Sequence, residues 1–244
     1  MKTLKRIVRI LDQVTDTGLF LIFFLFFLMG LYALYDSYLV YMNANDTSLL
    51  KYKPGYESDA DTDKKITDNM VAWLTLDDTN VDYPVMQGED NNEYLNKDPF
   101  GDYSLSGSIF LDSRNASDFS DSYSLIYGHH MEHEMMFGAL DAYLDEDYFR
   151  SHQTGSLSVG GKDNVENRVT YQIRLFAVVE SEGTQEAIFA PTEHDDKTLQ
   201  YVKQHALYFL DSVEVSEDTK LIALSTCKYP DTADRTIVFG ILVP

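Results

Sequence analysis

A chain of 244 residues with 44% hydrophobic residues has room for one membrane anchor and one domain of about 200 residues with a sizeable core. Its net charge of −21 argues against a nucleic-acid partner, because phosphate binding needs clustered Lys and Arg, and is read first as solubility. A single cysteine excludes an intrachain disulfide and is an ordinary small hydrophobe until its neighbours argue otherwise.

Lys2, Lys5, Arg6 and Arg9 precede an uncharged apolar run from Thr17 to Tyr35, with Leu19 to Met29 at its centre. About 18 to 20 apolar residues cross a hydrocarbon core as a helix, and the preceding positive charge holds the N-terminus in the cytoplasm. A cleaved signal peptide has a shorter apolar region and a small-x-small site. Tyr32-Ala33-Leu34-Tyr35 is a poor site of that kind, which favours an uncleaved anchor. The chain then divides into a cytoplasmic tail (1–16), a transmembrane anchor (17–35), a linker and helical segment (36–65) and an acidic exported domain (66–244). In the linker, Lys53-Pro54-Gly55 breaks any helix continuing through Tyr38, Leu39 and Met42. Asp59, Asp61 and Asp63 open with the spacing of a calcium loop. Lys64, however, stands where that loop needs glycine and Met70 where it needs a bidentate Glu, so a solvated linker is expected.

Within the domain, Asp63 to Met70 reads as a short helix with Ile66, Met70 and Val71 on one face. Beyond Val71 the pattern is mostly an alternating one. Val81, Tyr83 and Val85 form a strand that Pro84 places near an edge. Ile109 and Leu111 form a second strand, and Leu125 and Tyr127 a third that ends at Gly128-His129-His130. A short helix is expected around Met135 to Tyr143. Val169, Tyr171, Ile173, Leu175, Ala177 and Val179 make the longest alternation, a half-buried strand. Between Pro191 and Asp211, Leu199, Val202, Ala206 and Leu210 recur at helical spacing, with Asp195, Asp196 and Lys197 in the first turn. Two final apolar runs, Leu221–Cys227 and Arg235–Val243, pair as a hairpin and return Arg235 beside Cys227. Turn signals between the strands point to a closed or nearly closed barrel.

A thiol attacks a carbonyl only as thiolate, and a nearby imidazole and a fixed cation both favour that form. Arg235 supplies the cation. Of the six histidines, His129 and His130 end a strand directly after a glycine, where a side chain is presented at a sheet rim; His129 is the candidate acid and base. Two other readings compete. His129-His130-Met131-Glu132-His133 matches the H-x-x-E-H zinc-protease signature, which needs both outer histidines on one helix face. A non-enzymatic surface-binding domain with Cys227 buried in its core is the other; ready alkylation of the thiol would exclude it.

Leu224-Ser225-Thr226-Cys227 followed by Arg235, with Tyr127-Gly128-His129-His130-Met131 upstream, resembles the sortase family, specifically class B. Trp73-Leu74-Thr75, Val81 to Gln87, Asn91 to Leu95 and Gly107 to Asp112 resemble class B segments in the same order, so the likeness runs from about Ile66 to Val243. The inserted helix before the last two strands also fits. The resemblance implies a mainly β fold, an eight-stranded barrel with N-terminal helices behind a transmembrane helix, acting as a cysteine transpeptidase without metal or cofactor. Its partners would be the sorting-signal peptide of an exported surface protein or pilin and an amine acceptor, either a peptidoglycan precursor or a pilin Lys. By motif position it makes Cys227 the nucleophile, His129 the proton donor and later the base, and Arg235 the oxyanion stabiliser. Asn91, Leu95, Ser225 and Thr226 match groove positions, although Asn91 and Leu95 are equally read as turn and core residues. Lys228 departs from the acidic residue that often follows the cysteine, and the short loop to Arg235 tightens the groove on that side. Asp112 is within reach of a role orienting His129, but an Asp ending a strand more often caps a turn.

Overall fold

The computed structural model describes residues 2–44, 47–54, 65–160, 168–191, 196–216, 219–227 and 233–244. The chain divides into two compact units, Met1–Asn43 and Ala44–Pro244. Helix α1 (Lys2–Ala44) contains the apolar run, and every side chain from Leu19 to Met29 is exposed on it. Among the described residues it is the one helix long and apolar enough to cross a membrane. The 19 residues from Thr17 to Tyr35 rise about 28 Å at 1.5 Å each, close to the roughly 30 Å of a bilayer core.

The second unit is built on nine strands: β1 (Met70–Leu76), β2 (Asp82–Met86), β3 (Ile109–Leu111), β4 (Tyr123–Tyr127), β5 (Thr154–Val159), β6 (Val169–Glu182), β7 (Ala206–Phe209), β8 (Lys220–Cys227) and β9 (Asp234–Val243). They pair in the order β5-β1-β2-β3-β4-β8-β9-β6, and β6 returns to β5, so eight strands close a barrel. Closure removes the exposed edges that an open sheet must protect. One core fills it, with Leu74, Val85, Leu125, Phe176, Val178, Leu224 and Phe239 fully buried.

Three sequence expectations give way to tertiary pairing. The expected helix at Asp63–Met70 is absent from the described part: residues 65–69 are turn and extended chain, and Met70 already belongs to β1. The helix expected over 191–211 is shorter. Helix α4 (Asp196–His205) carries Leu199 and Val202, but Ala206 opens β7 and Leu210 follows it. The reason is an otherwise unpaired stretch of β6. Strand β5 covers β6 only as far as Arg174, and β7 takes over the same flank from Ala177 to Val179. Pro84 sits inside the barrel wall instead of at an edge, because β2 pairs with both β1 and β3. The β3 ladder starts only at Val85, so the missing Pro84 N–H falls where β2 has a single partner, Trp73 on β1.

The expected helix near Met135 is a 3-10 segment, Phe137–Leu144, with Phe137, Leu140 and Tyr143 buried against the core. Helix α2 (Glu146–Ser151) follows at once, capped by Asp145, which accepts the Tyr148 N–H. Of the segment read as a linker, residues 47–54 pack on the barrel. Leu49, Leu50 and Tyr52 join a second cluster with Trp73, Tyr94 and Phe110, and Lys53 pairs with Asp82 at 2.7 Å. Asp82 also accepts from Trp73 Nε1 and Thr75 Oγ1, so one carboxylate pins the segment to β1 and β2. The acidic stretch Glu57 to Asp63 lies outside the described residues.

Candidate active site

Two strand pairings place the chemistry. Strands β4 and β8 run parallel with Tyr127 opposite Ser225, and the Gly128 N–H donates to the Ser225 carbonyl at 3.1 Å. His129 is two residues past Tyr127 and Cys227 two past Ser225, so both emerge at the same rim. Strand β9 returns antiparallel to β8 with Arg235 directly opposite Cys227. The three side chains, about 100 residues apart at the extremes, line one cavity of about 340 Å³. Cys227 is half-buried and forms no disulfide. Lys228 and most of the loop to Arg235 lie outside the described residues.

The imidazole of His129 is held from the opposite wall. Its Nε2–H donates to the Leu95 carbonyl at 2.7 Å. A carbonyl oxygen only accepts, so the proton sits on Nε2 and Nδ1 is the basic nitrogen of the neutral ring. Gly128 lets β4 end this closely against the core. A Cβ there would lie 2.4 Å from Ile109 Cδ1 and 2.7 Å from Phe137 Cγ. Leu95 is fixed by another glycine: Gly107 has φ +58°, and a Cβ on it would meet the Leu95 and Tyr94 carbonyl oxygens at 2.6 Å each. Backbone oxygens cannot swing aside as a side chain does. Gly107→Ala is therefore expected to cost about 1–3 kcal/mol of stability and to slow acylation of the thiol, through strain and displacement of the His129 acceptor. Thermal unfolding and the acylation rate check it; wild-type values for both would refute this account of Gly107.

All four expected groove residues, Asn91, Leu95, Ser225 and Thr226, line the cavity. The hydroxyls of Ser225 and Thr226 are buried and make no hydrogen bond among the described residues. Leu95 lines the cavity and packs against the second core cluster, and its carbonyl holds His129. Asp112 does not touch His129. It is fully buried and accepts from the Arg114 Nε and Nη2 groups at 2.8 and 2.7 Å, the Asn91 Nδ2 at 2.9 Å and the Tyr127 hydroxyl at 3.0 Å. Burial pushes its carboxyl up, but the hydrogen bonds from Arg114 and Tyr127 outweigh this and hold it below the usual carboxylate range. Burial and the Asp112 charge both drive the Tyr127 phenol upward, so it stays protonated and donates.

The cavity also contains Phe110, Arg114, Tyr127, Gly183 and Phe189, which sequence reasoning did not assign to it. Arg114 had a signal: it stands two residues after a strand-ending Asp, the spacing of an Asx turn, and its N–H donates to Asp112 Oδ1. Phe189 had none. It arrives on helix α3 (Glu186–Phe189), whose position depends on where β6 ends.

The zinc-protease reading fails on backbone geometry. His129 follows a strand, and His133 and Glu134 have φ of +60° and +57°, so residues 129–133 form no helix and share no helix face. His130 pairs with Asp141 at 2.7 Å.

A closed eight-stranded barrel whose rim brings a thiol, an imidazole and a guanidinium to one cavity defines a β-barrel protein with a candidate cysteine active site. Comparison with known proteins makes this specific. Residues 74–243 match the sortase domain. Sortase B of Listeria monocytogenes is 38% identical over 169 residues, 67% of this chain and 65% of that protein, a little under two thirds of its length. A Streptococcus pyogenes class B sortase involved in pilus biogenesis superposes with TM-score 0.65 at 32% identity, covering 82% of this chain and 99% of that one. Sortase B from the type II pilus of Streptococcus pneumoniae gives TM-score 0.58 at 30% identity, covering 72% and 93%. The chain belongs to the sortase family, in its class B branch. Sortases are cell-surface cysteine transpeptidases that act on the sorting signals of surface proteins.

Proposed function

We propose that this chain cleaves a C-terminal sorting signal after its Thr and transfers the acyl group from a Cys227 thioester to an amine, anchoring a surface protein to peptidoglycan. The observation that carries the reading is the convergence of Cys227, His129 and Arg235 on one cavity rim. Nδ1 of His129 takes the Cys227 thiol proton, the thiolate attacks the Thr carbonyl carbon, the C–N bond breaks, and the leaving amine takes that proton from Nδ1 of the imidazolium. The incoming amine attacks the thioester and gives its proton back to His129 as the thiolate leaves. With Nε2 committed to the Leu95 carbonyl, Nδ1 is the nitrogen that exchanges the proton. The Arg235 guanidinium stabilises the oxyanion in both steps. A thioester keeps much of the acyl-transfer potential of the peptide, so one amine replaces another without ATP. Asn91, Leu95, Ser225 and Thr226 bind the signal.

Residues 17–35 anchor the enzyme, with residues 1–16 in the cytoplasm and the catalytic domain (66–244), joined by residues 36–65, outside. The basic residues before Thr17 support that orientation. A second acceptor, the Lys amine of a pilin, is favoured by the similarity to two pilus-associated sortases.

The test is intact-mass and peptide-mapping spectrometry of the full chain in detergent, incubated with peptides bearing Thr at the scissile position and varied neighbours. An acyl adduct on Cys227 is expected without added metal. No adduct across the panel, or one on another residue, would reject the reading. Competing a stem-peptide amine against a Lys-containing pilin peptide then separates the two acceptors.

A further inference from the structure

Asp112 bonds to neither His129 nor Cys227. Its contacts nevertheless bind together the walls of the groove. On one side the Asn91 amide is fixed at both ends: Nδ2 donates to Asp112 Oδ2, and Oδ1 accepts the Ser113 N–H at 2.7 Å. On the other side Arg114 spans from Asp112 to the carbonyl of Phe189, at the end of α3, with Nη2 at 2.8 Å. Tyr127 supports the same wall. Its hydroxyl is held by Asp112, while its ring stacks on Phe189 with centroids 6.5 Å apart and planes 11° from parallel.

From these contacts we infer that Asp112 is a positioning residue that sets the separation of the Asn91 wall and the Phe189 wall, and so determines how tightly the sorting signal is held. A buried carboxylate suits this task. It accepts several charge-assisted bonds at once, and the surrounding donors keep it ionised. Neither member of the reacting pair depends on it, since His129 is held by Leu95 and Cys227 by its strand. The effect falls on substrate binding and not on the chemical step.

The inference rests on the transpeptidase reading, and one experiment separates their failures. Asp112→Asn keeps the shape and removes the charge, leaving Arg114 without its anion. With full-length enzyme in detergent and a peptide that acylates the wild type, KM is expected to rise about tenfold with kcat within twofold. Alkylation of Cys227 by iodoacetamide is expected at the wild-type rate. Tyr127→Phe removes one tether and keeps the stacked ring, so it should raise KM less. The Asp112→Asn, Tyr127→Phe double variant should match Asp112→Asn alone, because both act through one carboxylate.

If wild-type enzyme forms no thioester with any peptide, the transpeptidase reading fails. If it does and Asp112→Asn keeps the wild-type KM, or loses kcat and alkylation together, the positioning role is overturned. Multiplying effects in the double variant would overturn it too. Should Asp112→Asn not fold, Tyr127→Phe decides alone: a raised KM with kcat retained supports the role, and a wild-type KM rejects it.

Discussion

Cys227→Ala yields a folded protein that forms no acyl-enzyme and loses transpeptidation by a factor on the order of 10⁴ or more. The fold survives because Cys227 is the last residue of β8 and only half-buried, so its sulfur adds little to the core. The chemistry does not survive, because among the described residues no other nucleophile lines the cavity with an imidazole and a guanidinium at hand. The hydroxyls of Ser225 and Thr226 are there, but neither has a base bonded to it. The check is a mass spectrum free of adduct beside an unchanged unfolding transition. A retained turnover in this variant would move catalysis to another residue, and the assignment of Cys227 would fall.

Arg235→Lys is the second large effect, a fall in acylation rate on the order of 10²-fold. Lysine keeps the charge and loses the planar fork. Arg235 is held by the ladder opposite Cys227, and its Nη1 donates to the Asp234 carbonyl at 3.1 Å, which orients the guanidinium. A flexible ammonium presents a point charge with no such fixed direction, and transition-state stabilisation depends on donors already in place. Iodoacetamide should still alkylate Cys227 at close to the wild-type rate, since no carbonyl oxyanion forms in that reaction. Acylation at the wild-type rate in Arg235→Lys would assign oxyanion stabilisation to other donors.

Much of the scaffold was legible because local chemistry wrote it twice, in propensity and in punctuation. The strands at Ile109, Leu125 and Val169 and the final hairpin each pair apolar alternation with turn residues, and each forms. Where one signal stood alone, tertiary context overrode it. Ala206 and Leu210 continue a helical period on paper, but β6 needed a partner beyond Arg174, and the chain supplied β7. Strand β5 carries no strong local signal, because Thr154, Gly155, Ser156 and Ser158 are small and polar. Only its place between β1 and β6, where it closes the barrel, shows why Leu157 and Val159 are buried. The H-x-x-E-H spacing was real as text and empty as geometry, since positive φ at His133 and Glu134 turns the chain away from a helix.

The sequence by itself determined the apolar span at the N-terminus, the lone thiol at a strand end, and the arginine that a hairpin must return to it, because each depends on residues near one another in the chain. The arrival of His129 and Cys227 at one rim was a matter for the tertiary structure alone. It follows from the parallel pairing of β4 with β8, two strands about 95 residues apart that no local period connects. The same holds for two of the partners of the Asp112 carboxylate: Arg114 is local, but Asn91 and Tyr127 come from separate segments and reach it only in the folded sheet.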